Sequence, residues 1–166
     1  MSDRRSIVLT GFMGTGKSTV ALLLADRMNR LLVDMDALIE QRTGWSIADI
    51  FAQRGEAFFR AIEHGMCLEL SLRESLIVAT GGGALLNPLS REAFLRSALV
   101  VCLQAAPATL RERLTQSAHR PLAHHWEALL AERAPIYAAL PHQVWTDDKT
   151  PDQVVEEILT LWNASL

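Results

Sequence analysis

"SIVLTGFMGTGKST", residues 6–19, sets a short apolar, β-branched run against a glycine-rich turn that ends in a lysine and a serine. The apolar run predicts a buried strand over 6–10. Val20, Ala21, Leu23 and Leu24 follow at helical spacing and predict a helix over 16–28. Between them, Gly11, Gly14, Gly16, Lys17 and Ser18 satisfy G-x-x-x-x-G-K-[ST] without a mismatch. In that strand–turn–helix context, glycines let backbone N–H groups converge on one concavity, and the helix N-terminus adds partial positive charge. Lys17 can then reach outer phosphates and Ser18 can ligate Mg²⁺. Gly14, Thr15, Gly16, Lys17, Ser18 and Thr19 are therefore the expected triphosphate-binding residues. The motif points to the phosphate donor and is silent on the acceptor.

Working outward, "LLVDMD" (31–36), "SLIVATGGG" (75–83), "ALVVCLQA" (98–105) and "HQVWTD" (142–147) read as four further strands. The stretch 46–74 is helical in pattern, with a stripe of Phe59, Ile62, Met66 and Leu70 and a break near Gly55. A helix starts near Pro107, and Thr150-Pro151-Asp152-Gln153 predicts a capping box opening the last one. Strands alternating with helices give an α/β class with a parallel sheet covered on both faces. No repeat, low-complexity segment or linker interrupts the chain, so one domain over 1–166 is expected. The arginine- and histidine-rich stretch around 117–125 has weak periodicity and reads as a mobile excursion from the core.

Bulk properties bound the partners. The 166 residues are 49% hydrophobic and 21% charged, with a formal charge of −3. That balance is globular and gives no general attraction to nucleic acid or an anionic membrane. Cys67 and Cys102 each sit in an apolar segment, away from any metal-type spacing, which suits a reducing compartment. The apolar run before Gly11 is too short for a signal-peptide core, and no segment is long enough to span a membrane. A cytoplasmic monomer is expected.

Asp34 and Asp36 end the second strand. In extended chain, residues two apart share a face, and ligands of open α/β sheets bind beyond the carboxyl ends of the strands. Both acids should therefore look into the crevice of the phosphate loop. Asp34 would hold Mg²⁺ through water, and Asp36 would accept the proton of an attacking hydroxyl. A capping role for Asp36 before "ALIEQR" stays open. Arg60, with Glu56 and Glu63 at helical spacing, suits either an anion anchor or a surface ion-pair cluster.

The chain resembles the shikimate kinases, small relatives of the nucleoside monophosphate kinases. The matching stretches are "GFMGTGKST" (11–19), "LLVDMDALIEQRTGWSIADIF" (31–51), "GEAFFRAIE" (55–63), "ATGGGAL" (79–85), "RPL" (120–122) and "ERAPIY" (132–137). They run in family order through most of the chain. The resemblance implies a three-layer αβα P-loop kinase with a five-stranded parallel sheet in order 2-3-1-4-5. It also implies a substrate-binding helical region over about 34–62 and a mobile lid over about 112–126.

The implied reaction is transfer of the γ-phosphoryl of ATP, with Mg²⁺, to the 3-hydroxyl of shikimate. Arg60 and Arg133 would clamp the shikimate carboxylate, a task suited to bidentate donors. Gly81, Gly82 and Gly83 would offer backbone N–H groups to substrate oxygens, and Phe51 and Phe59 would wall the ring. Arg120 would reach the transferring phosphate from the lid, and Arg113 would stack near adenine. Core packing for the phenylalanines and a solvated helix position for Arg113 remain open. His119, His124 and His125 lack further ligands at metal spacing and are expected to be solvated. Two rivals stand beside this reading: another small-molecule kinase of the same fold, acting on gluconate or a nucleotide, and a catalytically silent binding module.

Overall fold

A computed structural model describes residues 3–116 and 125–166. The strands are β1 (Ser6–Gly11), β2 (Leu31–Asp34), β3 (Leu76–Ala79), β4 (Ala98–Gln104) and β5 (His142–Trp145). The helices are α1 (Lys17–Met28), α2 (Met35–Thr43), α3 (Ile47–Arg54), α4 (Glu56–Ser71), α5 (Pro88–Ser97), α6 (Pro107–Gln116), α7 (Trp126–Ala138) and α8 (Pro151–Ala164). A 3₁₀ turn, Ala84–Leu86, precedes α5. The strands form one five-stranded sheet in the order β2-β3-β1-β4-β5. Every pairing is parallel.

β1 lies at the centre and is buried at all six positions. Alternate residues feed two apolar clusters. Val8 and Phe12 join Met35, Phe59, Met66, Val100 and Tyr137 on one face. Ile7 and Leu9 join Leu24, Val101, Val155 and Trp162 on the other. This is the αβα sandwich expected of continuous apolar strands.

Local chemistry sets the element ends. Gly55, at φ 83°, separates α3 from α4 where a break was expected. Thr150 and Gln153 form the capping box of α8. Gly11, at φ 135°, ends β1 where a Cβ would collide with the Leu103 carbonyl of β4, so only glycine lets the chain leave the sheet there.

The second strand is shorter than its sequence suggested. β2 stops at Asp34, because the Asp34 carboxylate accepts a hydrogen bond from the Ala37 amide (3.1 Å) and starts α2. Asp34 is thus the N-cap, and Asp36 sits in the first helical turn. The shared face of an extended strand is therefore not what brings the two acids together. The third strand is also shorter: it closes at Ala79, and Gly81–Gly83 form a turn beyond it.

Candidate active site

At the carboxyl ends of β1, β2 and β3, a cavity of about 460 Å³ is lined by Lys17, Ser18, Asp34, Asp36, Gly81, Gly82 and Arg133, with Met13 and Ile47 as apolar wall. Two smaller cavities of about 220 and 210 Å³ adjoin it across the phosphate loop. One is lined by Gly14, Gly16, Lys17, Ser18, Thr19 and Arg113. The other shares Gly14, Gly16, Thr19 and Arg113 and is completed by Thr15, Thr146, Lys149 and Pro151 rather than by Lys17 and Ser18.

The loop residues form a cradle for an anion. Gly16 takes φ 94° at the N-cap of α1, and no side chain caps that helix. By contrast Asp34, Ser46, Asn87 and Thr150 cap α2, α3, α5 and α8. The N-terminal turn of α1 faces the cavity lined by Gly14, Gly16, Lys17, Ser18 and Thr19, where a helix end favours an anion. Thr15 is buried, and its hydroxyl donates to the Phe12 carbonyl (2.8 Å). The Lys17 ammonium donates to the carbonyls of Gly11 (2.7 Å) and Phe12 (2.9 Å), at the mouth of the cradle.

Arg113 is held rather than solvated. It donates to the Gly14 carbonyl (3.1 Å), the Thr146 hydroxyl (3.0 Å) and the Thr146 carbonyl (3.2 Å). It thereby ties the phosphate loop to the loop before α8. Asp147 locks that loop further, accepting from the Ala106 amide (3.0 Å) and the Thr109 hydroxyl (2.5 Å). Burial works to raise its pKa, but those donors outweigh it and hold the carboxyl below its ordinary value.

The glycine triplet marks where charged side chains crowd the backbone. A Cβ on Gly81 would lie 3.0 Å from the Glu63 carboxylate and 3.1 Å from that of Asp36. One on Gly82 would lie 3.0 Å from Nη1 of Arg133, and one on Gly83 would fall on the Arg60 guanidinium. Each glycine therefore seats a different charged group against the chain.

Arg60 bonds Glu63 (2.7 Å), approaches Glu56 (3.4 Å) and covers the Phe59 ring at 5.3 Å. It lines a side cavity of about 220 Å³ with Glu63, His64 and Gly83. Phe51 and Phe59 pack ring on ring (4.8 Å) beside it, Phe59 buried and Phe51 exposed. Neither ring is among the described residues that line the larger cavity.

Arg133 is buried to 8% exposure, lies 5.9 Å from the Phe12 ring centre, and its Nε has no hydrogen-bond partner among the described residues. Such a donor in a polar cavity suits an anionic ligand. Glu63, at 3% exposure, is the acid that sequence reasoning treated only as a partner of Arg60. Burial raises its pKa and Arg60 opposes the rise. Its signal was the paired spacing Glu56–Arg60–Glu63 on one face of α4, but its contact with Gly81 needed the fold.

Residues 112–116 continue α6, and Trp126 opens α7, packed on Phe12 at 6.4 Å. His125 is exposed. Arg120, His119 and His124 lie outside the described residues.

A family model described as shikimate kinase matches residues 13–162. The chain belongs to the shikimate kinase family. It is similar to the shikimate kinase of Sulfurihydrogenibium sp., 39% identical over 160 residues that cover 94% of this chain and 96% of the relative. A Geobacter metallireducens shikimate kinase is 40% identical, covering 95% and 91%. Among solved structures, shikimate kinase from Acinetobacter baumannii in complex with shikimate aligns with a TM-score of 0.89 and 31% identity, covering 98% of this chain and 94% of that one. The family's P-loop kinase fold and its sheet order are those described above.

Proposed function

We infer that this chain phosphorylates shikimate at the expense of ATP, moving the γ-phosphoryl to the 3-hydroxyl. The observation that carries the reading is one cavity shared by Lys17 and Ser18 of the phosphate loop with Asp36, Gly82 and Arg133. The family membership and the shikimate complex of the Acinetobacter relative support the choice of acceptor.

In this reading the acceptor oxygen attacks the γ-phosphorus, and the bond to the β–γ bridging oxygen breaks. Asp36 takes the hydroxyl proton. Lys17 and the α1 amides balance the phosphate charge. Arg60 and Arg133 hold the shikimate carboxylate, with the Gly81–Gly83 amides on its oxygens and Phe51 and Phe59 beside the ring. Arg113 borders the adenine. Arg120 is assigned to the transferring phosphate by family resemblance, in a lid over about 112–126. Most of the rate then comes from positioning and charge stabilisation.

The oxygen donors Ser18 and Asp34, on the same cavity, fit Mg²⁺ held through one or two protein oxygens and phosphate. When bound, the ion would neutralise charge on the β- and γ-phosphates. Among the described residues no helix is long and apolar enough to cross a membrane. Both cysteines are free and buried. These features support a cytoplasmic enzyme, and a single-domain monomer is the simplest form.

A coupled ADP-release assay with shikimate, gluconate and nucleoside monophosphates tests the reading. Turnover confined to shikimate is expected. Preference for another acceptor would replace the reading with a related kinase, and no turnover would leave a silent binding module.

A further inference from the structure

Tyr137 is buried to 1% exposure, yet it is a polar group beside the acceptor cavity that the phosphoryl-transfer scheme leaves unused. Its hydroxyl donates to the Gly82 carbonyl at 2.5 Å. It stands four residues after Arg133 on α7, so the two side chains share one face of that helix. Both reach Gly82: a Cβ there would lie 3.0 Å from Arg133 Nη1, 3.5 Å from the Gly11 carbonyl and 3.6 Å from the phenol oxygen. The same Gly11 carbonyl accepts from the Lys17 ammonium. Gly82 is thus the point where the acceptor arginine, the phenol and the end of the phosphate loop meet.

We propose that Tyr137 is a positioning residue for the acceptor, fixing the Gly82–Gly83 peptide and the Arg133 seat through its hydrogen bond to the Gly82 carbonyl. The inference rests on the shikimate-kinase reading above.

The physical reason lies in the peptide plane. In a trans peptide, the C=O of one residue and the N–H of the next point in opposite directions. Tying the Gly82 carbonyl to the phenol therefore turns the Gly83 N–H away from Tyr137. Glycine supplies no side chain to hold this segment, and its backbone is the most permissive of any residue. The 3₁₀ turn secures the carbonyls on either side, with Ala84 donating to Gly81 (3.1 Å) and Leu86 to Gly83 (3.2 Å). The Gly82 carbonyl is the one left between them, and Tyr137 takes it. Burial pushes the phenol up to about 12, with the nearby Arg133 charge opposing. It therefore keeps its proton at neutral pH and acts as a donor, not a base.

Tyr137→Phe keeps the ring and removes only the donor. Steady-state kinetics of the full chain should show the shikimate KM raised about tenfold, the scale of one lost positioning hydrogen bond. The ATP KM should stay within about twofold, because the ties that hold the phosphate loop, from Lys17 to the Gly11 and Phe12 carbonyls, do not include Tyr137. A melt followed by circular dichroism, with the assay run well below the midpoint, ensures that the variant is folded. A second variant, Val155→Ala, removes apolar packing on the opposite face of the sheet and controls for lost stability alone. It should lower the melting point while leaving both KM values near wild type.

If Tyr137→Phe leaves the shikimate KM unchanged, or raises both KM values alike as a general loosening would, the positioning role is wrong. Absence of shikimate turnover in the wild-type chain would instead overturn the functional reading itself.

Discussion

The donor and acceptor halves of the cavity are put together in opposite ways. The proposed donor half is built on one contiguous stretch, Gly11–Thr19, to which Arg113 and the loop before α8 are tied from a distance. The proposed acceptor half draws Asp36 from α2, Gly81 and Gly82 after β3 and Arg133 from α7 around the larger cavity, and Arg60 and Glu63 from α4 around the side cavity at Gly83. Its parts meet because three successive glycines leave room for four charged side chains. A donor site of the first kind travels as a motif. An acceptor site of the second kind exists only once the sheet order brings β2, β3 and β1 side by side.

The largest effect is expected on the donor half. Lys17→Ala should lower kcat by about a thousandfold or more with the fold intact, since one preorganised charge on the transferring group is worth several kcal/mol. Near-normal turnover would remove the phosphate-loop argument. On the acceptor half, Gly83→Ala drives a Cβ onto the Arg60 guanidinium, which is the far end of a flexible side chain. The protein should therefore fold normally, with Arg60 displaced, the shikimate KM raised by roughly tenfold or more, and the ATP KM unchanged. A matching rise in both KM values would erase the distinction between the halves.

Glu63 offers a subtler cut. Its pKa is raised by burial against the pull of Arg60, so the folded chain binds this proton more tightly than the unfolded one. That contribution to stability is full below the ordinary glutamate range and is lost as pH climbs through the raised value. Glu63→Gln should therefore flatten the loss of stability as pH rises from below the ordinary glutamate range to neutral, as read from melts at the two ends of that range. It should also raise the shikimate KM several-fold by loosening Arg60. An unchanged pH response would place the titration elsewhere. Smallest of all, Thr150→Ala breaks the capping box of α8. It should cost about 1 kcal/mol in denaturant unfolding and leave both KM values alone.

The same contrast explains what could be read from sequence. Strand alternation, the phosphate loop, the Gly55 break and the α8 cap are local features, and local chemistry fixes them. The DMD pair was read correctly as residues of one crevice but for the wrong geometric reason, because the Asp34 cap ends the strand two residues early. Arg113 looked equally suited to solvent, since Gly14 and Thr146 lie 99 and 33 residues away from it in the chain. Beyond the spacing of Glu63 to Arg60, what Glu63 and Tyr137 touch was illegible for the same reason. Their contacts with Gly81 and Gly82 cross the sheet end, and no periodicity records them.

The acceptor half is tested most directly by comparing kcat/KM of the wild-type chain for shikimate and for its methyl ester. The ester keeps the ring and the 3-hydroxyl but loses the charge that Arg60 and Arg133 would hold. Two charge-assisted hydrogen-bonding partners correspond to a loss of roughly 10²–10³-fold. A fall of that size, at an unchanged ATP KM, is the expected result. Equal values for acid and ester would contradict the carboxylate clamp and the acceptor assigned from it.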